Sequence, residues 1–246
     1  EEIDYNDKEV LASIGTGKCD GIFQLESSGM KSFMKELRPE NLEDIIAGIS
    51  LYRPGPMDFI PRYLKGKNDK DYITYECSQL EHILGPTYGC IVYQEQVMQI
   101  VSALGGFTLG EADILRRAMG KKKAKLLDSM KEKFLDGAQK LHGISRELGD
   151  KIFALLQHFA GYGFNKSHSA AYALVAYETA WLKANYPVEY MAAFLNSIIT
   201  VADKVSWYIG VCRDMDIKVL PPDINTSEAG FSVDGHTIRF GLGAIK

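Results

Sequence analysis

Residues 27–39 read Ser27-Ser28-Gly29-Met30-Lys31-Ser32-Phe33-Met34-Lys35-Glu36-Leu37-Arg38-Pro39. Met30, Phe33, Met34 and Leu37 fall at i, i+3, i+4 and i+7, which is one apolar face of an α-helix. Ser27 or Ser28 supplies a side-chain cap at its start, and Pro39 ends it. The same period recurs on both sides. Leu42, Ile45, Ile46 and Ile49 repeat it, and Arg53-Pro54-Gly55-Pro56 then breaks the chain sharply. Residues 66–78 are polar and loop-like. Tyr93 to Leu104 reads as a helix stopped by Gly105-Gly106. Thr108-Leu109-Gly110-Glu111 is a capping box opening a short helix through Met119. Leu126, Leu127, Met130, Phe134 and Ala138 mark a long helix ending near Gly143.

Further on, Gly161-Tyr162-Gly163 reads as a loop, followed by a helix from about Ser169 to Tyr186. Pro187 stops that helix and suits the first position of the next, which runs to about Ile198. Another helix covers roughly residues 202–214. Only the last thirty residues change character. Lys218-Val219-Leu220 and the flanks of Asp234-Gly235 read as short strands with a hairpin turn. The expected fold is mainly α, with a small β element near the C-terminus.

Composition bounds the class. The 246 residues are 46% hydrophobic and 24% charged, ordinary for a globular protein and against disorder. The longest uncharged runs are too short and too polar for a membrane span, and Glu1-Glu2-Ile3-Asp4 is the opposite of a basic signal peptide. Cys19, Cys77, Cys90 and Cys212 form no C-x-x-C pair, which leaves four free thiols in a reducing, cytoplasmic setting. The chain begins without Met and stops inside an apolar stretch, so it reads as a piece of something larger. Lys plus Arg is 28 against 32 for Asp plus Glu, a net charge of −4 that by itself argues against nucleic acid. The average conceals a patch. Residues 116–125 (Arg-Arg-Ala-Met-Gly-Lys-Lys-Lys-Ala-Lys) hold six positive charges and no acid, leaving 22 basic against 32 acidic residues elsewhere.

That run is suited to phosphate, since Arg offers a bidentate fork and Lys a mobile point charge. A solvated helix end would also carry such charge, but the run lacks the acidic partners that solvated helices place one turn away. A second candidate is Gly161-Tyr162-Gly163-Phe164-Asn165-Lys166-Ser167-His168-Ser169, with aromatics, a Lys, hydroxyls and a His before an apolar helix. Helix-start amides favour an anion, and aromatics stack on bases. A capping or core histidine is the plain alternative for His168. Tyr52-Arg53-Pro54-Gly55-Pro56 is a stiff corner carrying an Arg.

Two apparent motifs fail on spacing. Gly15-Thr16-Gly17-Lys18 resembles the end of a P-loop, but Ala12 and Cys19 stand where Gly and Ser or Thr belong. Cys77, His82 and Cys90 lack a fourth metal ligand at sensible spacing.

Seven stretches together carry a family resemblance. They are Gly21 to Ser27, Tyr52 to Pro56, Pro86 to Gly89, Tyr93 to Met98, Leu115 to Lys122, Phe159 to Tyr172 and Leu220 to Asn225. In order and content the chain resembles the bacterial C-family replicative polymerases, the DNA polymerase III alpha subunits, with Phe159 to Tyr172 the most specific stretch. The resemblance implies a helical fingers domain over 1–215, with 1–15 as the linker from a palm, and a small β-containing end over 216–246 leading to helix-hairpin-helix and later modules beyond Lys246. It implies nucleotide contacts from Arg116, Arg117, Lys121, Lys122, Lys166, Ser167 and His168, and places Gln24 and Arg53 beside the primer end and nascent base pair. It further implies that the catalytic aspartates and their Mg2+ ions belong to the palm, so that this segment alone does not polymerise. The implied partners are a deoxynucleoside triphosphate, primed DNA template, and replicase subunits such as the sliding clamp through regions outside this segment, with no membrane. The alternative reading is a helical module for single-stranded nucleic acid or protein without nucleotide specificity.

Overall fold

The computed structural model describes residues 3–120, 124–160 and 163–245. Among them are twelve α-helices, several short 3-10 turns and one small sheet. The helices are α1 (Lys8–Gly15), α2 (Ser28–Leu37), α3 (Leu42–Leu51), α4 (Ile60–Asn68), α5 (Glu81–Leu84), α6 (Gln94–Gly105), α7 (Leu109–Gly120), α8 (Ala124–His142), α9 (Arg146–Ala160), α10 (Lys166–Asn185), α11 (Pro187–Ser197) and α12 (Ala202–Asp214). The strands are β1 (Lys218–Leu220), β2 (Ser232–Asp234) and β3 (Thr237–Arg239). The mainly α fold with a C-terminal β element is therefore the observed one.

The chain forms two compact units, Glu43–Ala173 and Glu1–Leu42 together with Leu174–Lys246. The first holds α4 to α9, nearly all of α3 and the start of α10. Its core gathers Val97, Ile100, Val101 and Leu104 of α6, Leu115 of α7, Phe134 and Leu135 of α8, and Ile152, Phe153 and Leu156 of α9. Each such buried side chain contributes roughly 1.5–3 kcal/mol. The helices α6 and α8 approach so closely that a Cβ on Gly137 would lie 2.2 Å from the Gly105 carbonyl oxygen. Glycine is required there because backbone, not side chain, fills the gap.

The signals read from the sequence act as expected at most helix ends. Ser27 accepts from the Met30 amide at 3.3 Å. Gly106 ends α6 at φ 69°, in the left-handed region that glycine enters without a Cβ penalty. Thr108 and Glu111 form the reciprocal capping box, with bonds of 3.0 and 3.3 Å. Four helices were not expected: α1, α4, α5 and α9. α9 follows Ser145, whose hydroxyl accepts from the Leu148 amide. α4 begins with Pro61 in its first turn and extends to Asn68, into the stretch read as loop.

The second unit has its own core, built from Val188, Met191 and Leu195 of α11, Val205, Tyr208 and Cys212 of α12, and Ile217, Phe231 and Ile238. Residues 8–15, read as part of a linker, form a helix that buries Val10, Leu11 and Ile14. The strand order is β1-β3-β2. β3 pairs antiparallel with β2 around the turn at Gly235, and parallel with β1.

Candidate nucleotide-binding site

Most of the candidate residues lie in the unit Glu43–Ala173, around the start of α10. The segment before α10 is held by a short parallel bridge between Tyr93 and Phe164. The Gln94 amide donates to the Phe164 carbonyl at 2.9 Å, and the Phe164 amide donates to the Val92 carbonyl at 3.1 Å. Asn165 then caps α10, its Oδ1 accepting from the His168 amide at 2.9 Å. The helix therefore starts at Lys166, three residues before the apolar period begins, because an Asn cap sets the start and the period only marks the first buried residue.

Glu95 completes this end. Its carboxylate accepts from the Lys166 amide at 3.1 Å on both oxygens and from Asn165 Nδ2 at 3.0 Å. A carboxylate at a helix N-terminus is favoured by the free amides and the dipole. The anion that the sequence led us to expect from a ligand is, at Lys166, a side chain of the protein itself.

The side chains beyond this end form an aromatic row. The Arg53 guanidinium lies 3.9 Å from the centroid of the Phe164 ring. Phe164 meets His168 edge-on at 5.4 Å, and His168 stacks on Tyr172 at 4.4 Å and 30°. His168 and Ser167 are exposed, so the core-histidine alternative does not hold. Ser169, the next residue, is fully buried and shares a 2.8 Å hydrogen bond with Ser50. Lys166 pairs with Glu43 at 2.8 Å, and its ammonium lies 5.4 Å from the Tyr93 ring centroid. Tyr93 is 3% exposed, and its hydroxyl has no hydrogen-bond partner among the described residues.

The arginines stand on α7. Arg116 donates to Asp113 Oδ1 at 2.8 and 3.2 Å and to Gln94 Oε1 at 3.0 Å. Arg117 reaches the other oxygen of Asp113 at 2.8 Å, with its side chain 66% exposed. The hydrogen bonds from Arg116, more than those from Arg117, hold the Asp113 carboxyl below its ordinary range. The expectation that the basic run lacks acidic partners is corrected here: Asp113 lies one turn before the run, at i−3 and i−4, outside the window of residues 116–125. Lys121 and Lys122 lie outside the described residues.

Gln94 and Glu95 are the residues that sequence reasoning missed. The Gln94 side chain accepts from Arg116 while its amide holds Phe164, and Glu95 holds Lys166. Adjacent positions at the start of α6 thus join the arginine helix to the aromatic row. Tyr93-Gln94-Glu95-Gln96 was part of the resemblance, but nothing in its spacing distinguishes a surface amide from a bridge. Gln24 belongs to the other unit. It takes φ 64° at the third position of the turn closed by the Leu25 amide on the Ile22 carbonyl, the conformation that a type II turn demands there.

Among the described residues no group of three or more His, Cys, Asp or Glu side chains could hold a metal ion. No helix among them is long and apolar enough to cross a membrane.

Comparison with known proteins supplies the family. The model of the bacterial DNA polymerase III alpha subunit finger domain matches residues 1–142. A helix-hairpin-helix motif model matches residues 216–246, the segment that carries the three strands, so the motif begins within the chain, earlier than the resemblance implied. The chain is 49% identical to the DNA polymerase III subunit alpha of Borreliella burgdorferi over 246 residues, 50% identical to that of Campylobacter jejuni over 252, and 47% identical to that of Vibrio cholerae over 254. All of this chain is covered in each case, against 21%, 21% and 22% of the relatives. It therefore spans about a fifth of their length. On these matches, the chain belongs to the finger-domain family of the bacterial DNA polymerase III alpha subunit.

Proposed function

We propose that this segment binds the incoming deoxynucleoside triphosphate and the primer-template end within a DNA-directed DNA polymerase of the bacterial cytoplasm. The observation that carries the reading is the convergence on Gln94 and Glu95 of the Arg116 side chain and the Phe164–Lys166 backbone, which sets cations, half-buried aromatics and the exposed His168 on one scaffold. Phosphoryl transfer is chiefly positioning and charge stabilisation. Arg117 is the more available of the arginines for a triphosphate, because Arg116 is held by both Asp113 and Gln94. Lys121 and Lys122 add to the same field. Lys166 is shared with Glu43 and exchanges that partner for phosphate. Ser167 and His168 line the sugar and base side, with the stack on Tyr172 holding the imidazole in place. Arg53, fixed over Phe164, faces the nascent pair, and Gln24 lies at the primer end.

In this reading the segment binds and orients, and the Mg2+ ions and their aspartates are supplied by another part of the intact enzyme, as are contacts to the sliding clamp and other replicase subunits. A steady-state comparison in the intact polymerase tests it. Arg117→Ala is expected to raise KM for the nucleotide about tenfold, equivalent to about 1.4 kcal/mol. An unchanged KM and kcat would leave Arg117 a surface residue and overturn the assignment.

A further inference from the structure

A cleft on the unit Glu43–Ala173 lies apart from these residues, in the stretch to which the resemblance gave no function. Its volume is about 660 Å³, and Pro61, Arg62, Lys65, Asp71, Tyr72 and Thr74 line it. Both walls are anchored. On α4, Tyr63 is 1% exposed, Gly66 lies against Tyr88 so closely that a Cβ would come within 2.9 Å of its carbonyl oxygen, and Lys67 forms a nearly buried 3.0 Å pair with Asp44. Arg62 and Lys65 stand three residues apart on this helix, about one turn, and both line the cleft. The facing wall is fixed by Gly89, whose Cβ position lies 3.0 Å from the Thr74 carbonyl oxygen.

The lining has a definite chemistry. The Lys65 ammonium lies 3.8 Å from the centroid of the Tyr72 ring, and Tyr72 is 45% exposed. Arg62 spends one donor on a 3.4 Å bond to the Gly89 carbonyl. Neither cation pairs with a carboxylate among the described residues, although Asp71 lines the same cleft. Two cations against one acid suit a single phosphodiester better than a triphosphate. A tyrosine beside them suits a stacked base.

We infer that this cleft holds a nucleotide of single-stranded DNA, its phosphodiester between Arg62 and Lys65 and its base against Tyr72. In a polymerase the single strand at hand is the template ahead of the primer end. The inference rests on the family and is independent of the triphosphate assignment.

The test uses the intact polymerase subunit and primed templates carrying either a long or a minimal oligothymidine overhang. Arg62→Gln with Lys65→Gln is expected to weaken binding of the long-overhang template about tenfold and to lower the salt slope by about 0.7, the share of one phosphate contact on a single strand. Tyr72→Ala is expected to weaken it about fivefold by loss of stacking. Binding of the minimal-overhang template, nucleotide KM and melting temperature are expected to stay unchanged, and Lys65→Arg is expected to keep the affinity. Unchanged long-overhang affinity and slope in both variants would overturn the proposal. So would equal losses on both templates, a raised nucleotide KM, or loss of binding only to a glutamate-rich peptide.

Discussion

The Lys166 amide donates to both carboxylate oxygens of Glu95 at 3.1 Å. This bond ties the first residue of α10 to the first turn of α6, 71 residues earlier. It places a fixed negative charge at the positive end of a long helix, beside the row of Phe164, His168 and Tyr172. The bond organises the start of α10, and its removal is the most direct probe of the candidate site.

Glu95→Ala is expected to lower stability by about 1 kcal/mol, the usual cost of losing a helix cap. Glu95→Gln keeps an acceptor and is expected to recover part of the loss. Thermal melting of the intact polymerase measures this. In the proposed reading Glu95→Ala also raises nucleotide KM, since Lys166 and His168 lose their fixed backbone. A variant that melts earlier with unchanged KM would confine Glu95 to a structural role.

Arg116 and Arg117 are expected to separate experimentally. Arg116→Ala removes bonds to Asp113 and Gln94, so both stability and activity fall. Arg117→Ala affects activity alone, because its side chain is largely in solvent and exposed pairs contribute little to stability. Melting and steady-state kinetics on the same preparations distinguish them.

Tyr93→Phe removes a buried hydroxyl that has no partner among the described residues. The expected result is unchanged or slightly higher stability, by up to about 1 kcal/mol, since an unsatisfied polar group is costly to bury. A large loss of stability would show that the hydroxyl is hydrogen-bonded in solution.

Gly137→Ala is expected to destabilise by about 1–3 kcal/mol or more, because the added methyl meets the Gly105 backbone and the helices must separate. Chemical denaturation of the isolated segment or melting of the intact enzyme reports it. Full stability would mean that α6 and α8 part without cost.

Acid sensitivity follows from Asp113 and Glu111. Hydrogen bonds from Arg116 hold the first below its ordinary range, and those from Lys133 hold the second. Both folded-state values lie below the unfolded ones. Their stabilisation is complete above the ordinary carboxylate pKa and is lost as pH falls below about 4 toward the folded values. Asp113→Asn is expected to flatten the acid limb of the stability curve. An unaltered limb would place the titration elsewhere.

Much of the fold was legible because helix ends are decided locally. Ser27, Gly106, the Thr108–Glu111 box and Pro187 each act within a few residues, and the apolar period does the rest. α9 and α4 were missed for different reasons. Arg146–Ala160 carries its period and its Ser145 cap in plain view, whereas α4 is short and polar and is held by Tyr63, Gly66 and Lys67 against distant residues. The candidate site was legible in its residue types and not in its partners. Asp113 was within reach of the i−3 and i−4 rule; Gln94 and Glu95 were not, since a bridge to Arg116 and Lys166 depends on chain crossings far apart in sequence.

The sequence by itself determined the helical class, most helix ends, the hairpin at Gly235 and the family resemblance, because caps, periods and motifs are short-range properties. Tertiary structure alone decided that Glu95 occupies the start of α10, that Arg116 is held while Arg117 is exposed, that Phe164, His168 and Tyr172 meet in a row, and that α4 carries a cationic cleft. Those outcomes depend on which charges and rings the packed helices bring within a few ångströms, and no local pattern encodes such distances.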